Sequence, residues 1–343
     1  DKNSDNSNSA QWTGCVTAIA ASMLQTNMVD TVVCIATNNE GDWTQPEPIL
    51  ARSVKDVMRG RGVKPALAPS LKVLDAIRTD PSIRRLLFCG VGCAVQAFRA
   101  IQHELGLEEV YVLGTNCADN SPTPKAAREF IQKGMKIDNS QKVRGYEFMQ
   151  DFRVHVKIDD GDGNVSYVKK PYFTLPGSIA EPSIAPSCLA CFDYTNGLAD
   201  VVVGYMGAPL EGEMDKSYQT LAIRNAKGES MVQAATDQNL LQLGNIAMGS
   251  GASHEKFAST TVSSDSIILA LTGGDVKEEG VPQWIGEALA FILTSAGPKG
   301  LNFARYSIDY HILRNYLHVL DSWGEERIIK DSPIPTYAMN IVQ

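Results

Sequence analysis

The segment from Arg85 to Cys117 does most to limit what this chain can fold into. Arg85 to Cys89 (RLLFC) is an apolar run of strand length that passes directly into Gly90-Val91-Gly92-Cys93 and then a helical stretch from Ala94 to Leu105. Val110 to Gly114 repeats the strand signal and ends in Thr115-Asn116-Cys117. Strand, tight turn, helix, strand is the order of a parallel α/β unit. The β-branched run Thr31 to Thr37 (TVVCIAT) reads as another buried strand, and Gly14 to Leu24, Val54 to Met58 and Leu71 to Arg78 read as helices. In parallel sheets, sites form where loops leave the carboxyl ends of strands. Cys93 and Cys117 both fall in such loops.

From Tyr146 the pattern changes. Phe152 to Ile158 and Val165 to Val168 alternate around the acidic turn Asp159 to Asn164, which predicts an antiparallel hairpin. The turn lacks the closing Glu of a calcium loop, since Lys170 stands at that position. Val201 to Tyr205 and Thr220 to Arg224 read as two strands with Asn225 to Glu229 as their turn, residues 237–282 as an irregular connection, and Trp284 to Leu293 and Asn302 to Leu320 as helices. In the last helix, Phe303, Tyr306, Tyr310, Leu313 and Leu317 recur at helical spacing. The predicted fold class is therefore α/β (α+β overall): a parallel core, an added antiparallel region and C-terminal helices. The expected division is a disordered polar start over 1–10, an α/β domain over 11–115, an α+β domain with a C-x-x-C over 116–235, an irregular connection over 236–283 and a helical region over 284–343.

A length of 343 residues is enough to bury a large core without staples. The formal charge of −8 argues against a nucleic-acid partner, which needs a basic face. The seven cysteines are odd in number, so they are not all paired within one chain. Unpaired thiols suit a reducing compartment. Five of them make three local motifs: Cys89-Gly-Val-Gly-Cys93, Asn116-Cys117 and Cys188-Leu-Ala-Cys191. Four loop thiols, Cys93, Cys117, Cys188 and Cys191, suffice for a structural zinc or an iron–sulfur cluster. Their scatter over about 100 residues, rather than in two C-x-x-C pairs, favours a cluster without deciding it. Cys34 and Cys89 lie in strands and read as core thiols, and Cys15 as a packing residue.

These motifs resemble those of the coenzyme F420 hydrogenase/dehydrogenase beta-subunit family. Trp12-Thr-Gly-Cys-Val-Thr-Ala18 is similar to its small-residue opening, Cys89-Gly-Val-Gly-Cys93-Ala-Val-Gln96 to its "VGTPCQVQAL" segment, and Gly114-Thr-Asn-Cys117 to its "GLFC". Ser187 to Thr195 and Leu198 to Gly204 resemble its "C..C.D.TA.LADI.VG". Further stretches, Gln11 to Gly14, Tyr111 to Cys117, Tyr146 to Asp151, Phe192 to Asn196, Gly204 to Gly207, Gly297 to Gly300 and Ala304 to Asp309, resemble the family's chlorophyll-metabolism branch.

The resemblance implies a chloroplast enzyme with FAD and [4Fe–4S] clusters. It would take electrons from reduced ferredoxin and reduce a chlorophyll-type tetrapyrrole by two electrons. The bond reduced is expected to be that of a 7-hydroxymethyl group, giving chlorophyll a, or alternatively the 8-vinyl group of a divinyl (proto)chlorophyllide. Cys93, Cys117, Cys188 and Cys191 would hold a cluster. Thr13, Gly14 and Thr17 open a helix whose amides suit the FAD pyrophosphate. Asn116, Asp193 and Asn196 would bond flavin or order the cluster loop. His311 and His155 are the proton-donor candidates. Arg59, Arg61 and Lys64, clustered within six residues, form the expected docking patch for acidic ferredoxin, with Arg84 and Arg85 elsewhere. The branch carries a second cysteine-rich segment ahead of its Gln-Trp-Thr-Gly stretch, where this chain has Asp1 to Ser9. The chain is thus expected to be short at its N-terminal end, or to have lost the second cluster. Two other readings are a non-catalytic homologue serving as a subunit of a thylakoid pigment–protein complex, and a colourless zinc-stabilised α/β protein. A homo-oligomer is also expected.

Overall fold

Residues 11–37, 42–138, 142–161, 164–272, 279–331 and 333–343 are described in the computed structural model. The polar opening and positions 162–163 of the acidic turn lie outside them. The main sheet contains β1 (Thr31–Thr37), β2 (Pro46–Ala51), β3 (Arg85–Val91) and β4 (Glu109–Thr115). Its order is completed by two late strands, β8 (Val201–Gly204) and β9 (Thr220–Ile223), as β2-β1-β3-β4-β8-β9. β1, β3, β4 and β8 run parallel, and the two edges are antiparallel. Val32, Val33, Leu86, Leu87, Val112 and Leu113 are fully enclosed, because helices cover both faces of the sheet. The opening helix Cys15–Gln25 and helix Ala226–Asp237 pack on one face through Ile19, Met23, Met231 and Val232. Helix Gly92–Ile101 packs on the other, where Phe98 stacks on Phe88 at 4.1 Å.

Between β4 and β8 the chain makes a second, antiparallel sheet: β5 (Val143–Phe148), β6 (Arg153–Gly161) and β7 (Asn164–Pro171). One face of it is apolar, with Val154 and Val156 against Trp43, Phe130 and Ile131. The alternate positions of β5 and β6 are polar and include Glu147, His155 and Lys157, the last being 1% exposed and paired with Asp215 at 2.9 Å. A two-stranded piece, β10 (Gly249–Gly251) with β11 (Pro298–Gly300), precedes the long helix Leu301–Trp323.

Several expectations need correction. The sheet crosses the division drawn at 115, since Leu113 pairs with Val201 across the inserted antiparallel sheet. Asn225 is not in a turn joining β8 and β9. Its Oδ1 accepts the Gly228 N–H at 3.0 Å and caps helix Ala226–Asp237. The stretch over 236–283 is not irregular throughout, because His254–Thr272 is a helix whose Phe257 and Ala258 pack on Phe303 and Tyr306. β2 escaped notice because Pro46 and Pro48 break a strand pattern, yet an edge strand tolerates them. The buried face of Leu301–Trp323 includes Asp309 and Asn315, while the expected core residue Leu317 is 46% exposed.

Candidate functional site

The carboxyl ends of β3, β4 and β8 meet at one place, and backbone geometry there is set by polar staples. Asn196 is fully buried in a left-handed conformation (φ 53°), and its Nδ2 donates to Gly90 O at 2.8 Å and Thr115 O at 3.3 Å. It thereby ties the ends of β3 and β4. Asn116 donates from its backbone to Val203 O at 3.1 Å and from Nδ2 to Tyr194 O at 3.2 Å. Gly204 is required beside it, because a Cβ there would strike Asn116 Oδ1. Asp193 accepts from Gln96 Nε2 at 2.7 Å and from the Gly197 N–H at 2.9 Å, which locks the C-x-x-C loop to helix Gly92–Ile101. Gly92 admits this loop, since a Cβ would come within 2.8 Å of Asp193.

These staples gather the four loop cysteines. All four are free thiols. Cys117 is pushed well above the ordinary thiol range by burial and then by the nearby Cys188, Cys93 and Cys191 sulfurs. Cys188 is pushed up to about 11 chiefly by burial, and Cys191 is raised for the same reason. Donors face three of the sulfurs: Asn120 Nδ2 lies 3.1 Å from Cys117 Sγ, and the Asn120 and Asp193 backbone N–H groups bond Cys188 and Cys191. Among the described residues no group of three or more His, Cys, Asp or Glu side chains is placed to hold a metal ion.

The long helix Leu301–Trp323 braces this loop with residues that the sequence reading passed over. Asn315, fully buried, donates from Nδ2 to Cys188 O at 2.8 Å and Cys191 O at 2.7 Å. Arg314 makes a two-pronged bond with Asp119 at 2.8 and 2.9 Å, fixing the turn after Cys117 where Asp119 has φ 65°. Polar residues inside an apolar helical stripe were the only signal for this role. His311 lies on the same helix, 4.9 Å from the Tyr194 ring. Burial, then the Arg314 charge, pushes it down to about 4, and its Nδ1 sits 2.6 Å from Ser307 O. It is a neutral imidazole at physiological pH. His155 is apart from the cysteines on β6, 1% exposed, with Nε2 held by Asp151 at 2.8 Å.

Thr13, Gly14 and Thr17 stand at the start of helix Cys15–Gln25. Gly14 is left-handed (φ 88°) with open space where a side chain would project. Thr13 does not cap the helix; its hydroxyl donates to Gln219 Oε1 at 3.2 Å, as does the Cys15 N–H at 3.3 Å. Immediately before it, Trp12 stacks on Tyr205, the residue after β8, with ring centroids 4.6 Å apart. Glu147 joins this group. Its Oε1 accepts from Gln11 Nε2 at 2.9 Å and Trp12 Nε1 at 3.4 Å, and burial pushes the carboxyl up to about 7.

The expected basic patch is largely neutralised. Lys64 is buried and donates to three carbonyls, Gly60 O, Arg61 O and Gly62 O, at 2.8–2.9 Å. Arg84 pairs with Glu108 and Arg85 with Asp30, which leaves Arg59 and Arg61 of the original group.

Residues 2–75 match the model for the N-terminal part of the coenzyme F420 hydrogenase/dehydrogenase beta subunit, and residues 83–248 match that for its C terminus. The chain is 45% identical to the chloroplastic 7-hydroxymethyl chlorophyll a reductase of Oryza sativa subsp. japonica, over 97% of this chain and 68% of that protein. It is 27% identical to a coenzyme F420 hydrogenase subunit beta of Methanococcus voltae, over 69% of this chain and 79% of that one. A chain in the solved F420-reducing [NiFe] hydrogenase complex from Methanosarcina barkeri superposes with a TM-score of 0.57 at 21% identity, covering 69% of this chain and 77% of its own, which shows the shared α/β fold.

Proposed function

The chain belongs to the coenzyme F420 hydrogenase/dehydrogenase beta-subunit family, and from that premise we propose that it is a chloroplast oxidoreductase that reduces the 7-hydroxymethyl group of a chlorophyll-type tetrapyrrole to a methyl group. The single observation that carries a redox site is the convergence of four free cysteines at the carboxyl ends of β3, β4 and β8, with N–H donors aimed at three of the sulfurs. N–H bonds to sulfur favour the thiolate and tune a cluster's potential. Their scatter along the chain, with a single C-x-x-C rather than two, favours a cluster over zinc.

In this reading Cys93, Cys117, Cys188 and Cys191 hold a [4Fe–4S] cluster. Asp193, Asn196, Asn315 and the Arg314–Asp119 pair keep their loops in register. Thr13, Gly14 and Thr17, with the open space at Gly14, receive the pyrophosphate of FAD at a helix N-terminus. When bound, the cluster passes electrons singly and the flavin gathers two for one bond reduction. Reduced ferredoxin is the proposed donor, meeting the chain near Arg59 and Arg61.

Anaerobic purification followed by iron, sulfide and flavin analysis tests the reading. The expected protein is brown, carries about four irons per cysteine quartet, and loses them in Cys117→Ala and Cys191→Ala. A colourless preparation without iron or flavin after reconstitution would overturn it.

A further inference from the structure

Cleaving a hydroxymethyl C–O bond requires a proton for the departing oxygen, and neither histidine named from the sequence is placed to give one. His311 is neutral and turned to Ser307 O, and His155 is enclosed with Nε2 on Asp151. The reaction consumes two electrons and two protons: R–CH2OH becomes R–CH3 and water, one C–O bond breaking and one C–H bond forming. The electrons enter one at a time from a low-potential iron–sulfur carrier protein.

We propose that Glu147 is the proton donor, passing its carboxylic hydrogen to the hydroxyl oxygen that leaves as water. The second proton, which ends on carbon, is drawn from solvent, as is the one that restores Glu147. This inference rests on the substrate class assigned above. It stands first on position. Glu147 lies on the polar face of β5, partly accessible, in contact with Trp12 and near Tyr205. Those two residues adjoin Thr13–Gly14 and the carboxyl end of β8 respectively, the two sides of the candidate site.

It stands next on the hydrogen-bond arrangement. The Tyr205 hydroxyl lies beside the Glu147 carboxyl and 2.9 Å from Phe148 O; its contact with the carboxyl, like those of Gln11 and Trp12, favours the ionised form, so it is burial that keeps the proton on. Gln11 Nε2 and Trp12 Nε1 both bind Oε1, and so hold the group in one orientation. Gly145 makes room for Gln11, since a Cβ there would strike Gln11 Oε1. The other titratable groups around it are Tyr146, Tyr172 and Tyr205, all kept neutral by burial, and His155, its register partner on β6. Burial places the carboxyl's own midpoint at about 7, which is where a donor working at neutral pH is best placed.

Glu147→Gln preserves shape and the Oε1 acceptor but carries no acidic proton. In the full chain, purified anaerobically, iron and flavin content are expected to match the wild type. Turnover with a reduced ferredoxin and 7-hydroxymethyl chlorophyll a should fall about 100-fold at pH 7. The wild-type rate should drop about tenfold per pH unit above its midpoint, and this slope should vanish in the variant. Glu147→Asp should recover part of the rate. A Glu147→Gln protein with wild-type rate and pH profile would overturn the assignment. Infrared spectra of the resting protein give a readout independent of turnover: a carboxylic C=O band titrating near neutrality, absent from Glu147→Gln. If that band is missing from the wild type, the inference fails. A wild type that shows the band but does not turn over this tetrapyrrole overturns the substrate reading instead.

Discussion

Asn315 is the residue through which the C-terminal helix holds the C-x-x-C loop, so Asn315→Ala isolates that brace. The side chain is fully buried, and its two amide hydrogens are matched to Cys188 O at 2.8 Å and Cys191 O at 2.7 Å. Arg314 also loses an acceptor, since its Nη2 lies 2.9 Å from Asn315 Oδ1. Truncation leaves the Cys191 carbonyl unpaired and takes one of two donors from Cys188 O, which keeps the Cys191 N–H at 3.2 Å, so the expected loss is about 2 kcal/mol. For a chain of 343 residues that is a fall of about 3 °C in Tm. The carbonyls belong to the two C-x-x-C residues themselves, so the loop should also loosen locally. Iron per chain after anaerobic reconstitution should then fall by more than the global destabilisation alone would cause. Thermal unfolding by circular dichroism and iron analysis on the same samples measure both effects. If Asn315→Ala unfolds at the wild-type temperature and binds the wild-type amount of iron, the helix is not a brace.

Three further outcomes follow from the packing. Gly204→Ala forces a methyl into Asn116 Oδ1; the expected destabilisation is about 1–3 kcal/mol by urea titration, and Asn116→Ala made in the same chain should relieve part of it. Asp215→Ala removes the carboxylate 2.9 Å from Lys157, which is 1% exposed; about 1–3 kcal/mol should be lost in urea titration, and Lys157→Met in that background should restore part of it. Glu147 has a folded midpoint of about 7, above its ordinary 4.5, so the native chain binds more protons than the unfolded one between those values. Its contribution is therefore full at low pH and is lost as pH rises through 7, and Glu147→Gln should be more stable than wild type at pH 8 by up to about 3 kcal/mol; equal stability at pH 5 and pH 8 relative to wild type would refute it.

The parallel core was legible because buried strands such as TVVCIAT and RLLFC carry their own signal, and because the loops after β3 and β4 hold cysteines. The site's bracing was much less legible. Asn315, Arg314 and Asp309 interrupt an apolar stripe, and periodicity alone reads such residues as solvent-facing. Glu147 was hidden differently. It sits in a strand broken in register at Gly145, and its raised midpoint comes from burial in the folded chain, set against the lowering hydrogen bonds of Gln11, Trp12 and Tyr205, residues distant in sequence. Lys64 shows the converse error: three basic residues close in sequence looked like a surface patch, but backbone carbonyls had captured one of them.

The brace at Asn315 also orders events in time. A ribosome delivers Cys93, Cys117, Cys188 and Cys191 well before residue 315, and during that interval the carbonyls of Cys188 and Cys191 have no side chain to meet. The loop gains its final shape only when helix Leu301–Trp323 has been made and docked. A chain that ends before Asn315 therefore carries all four thiols but lacks the side chain that meets the carbonyls of Cys188 and Cys191.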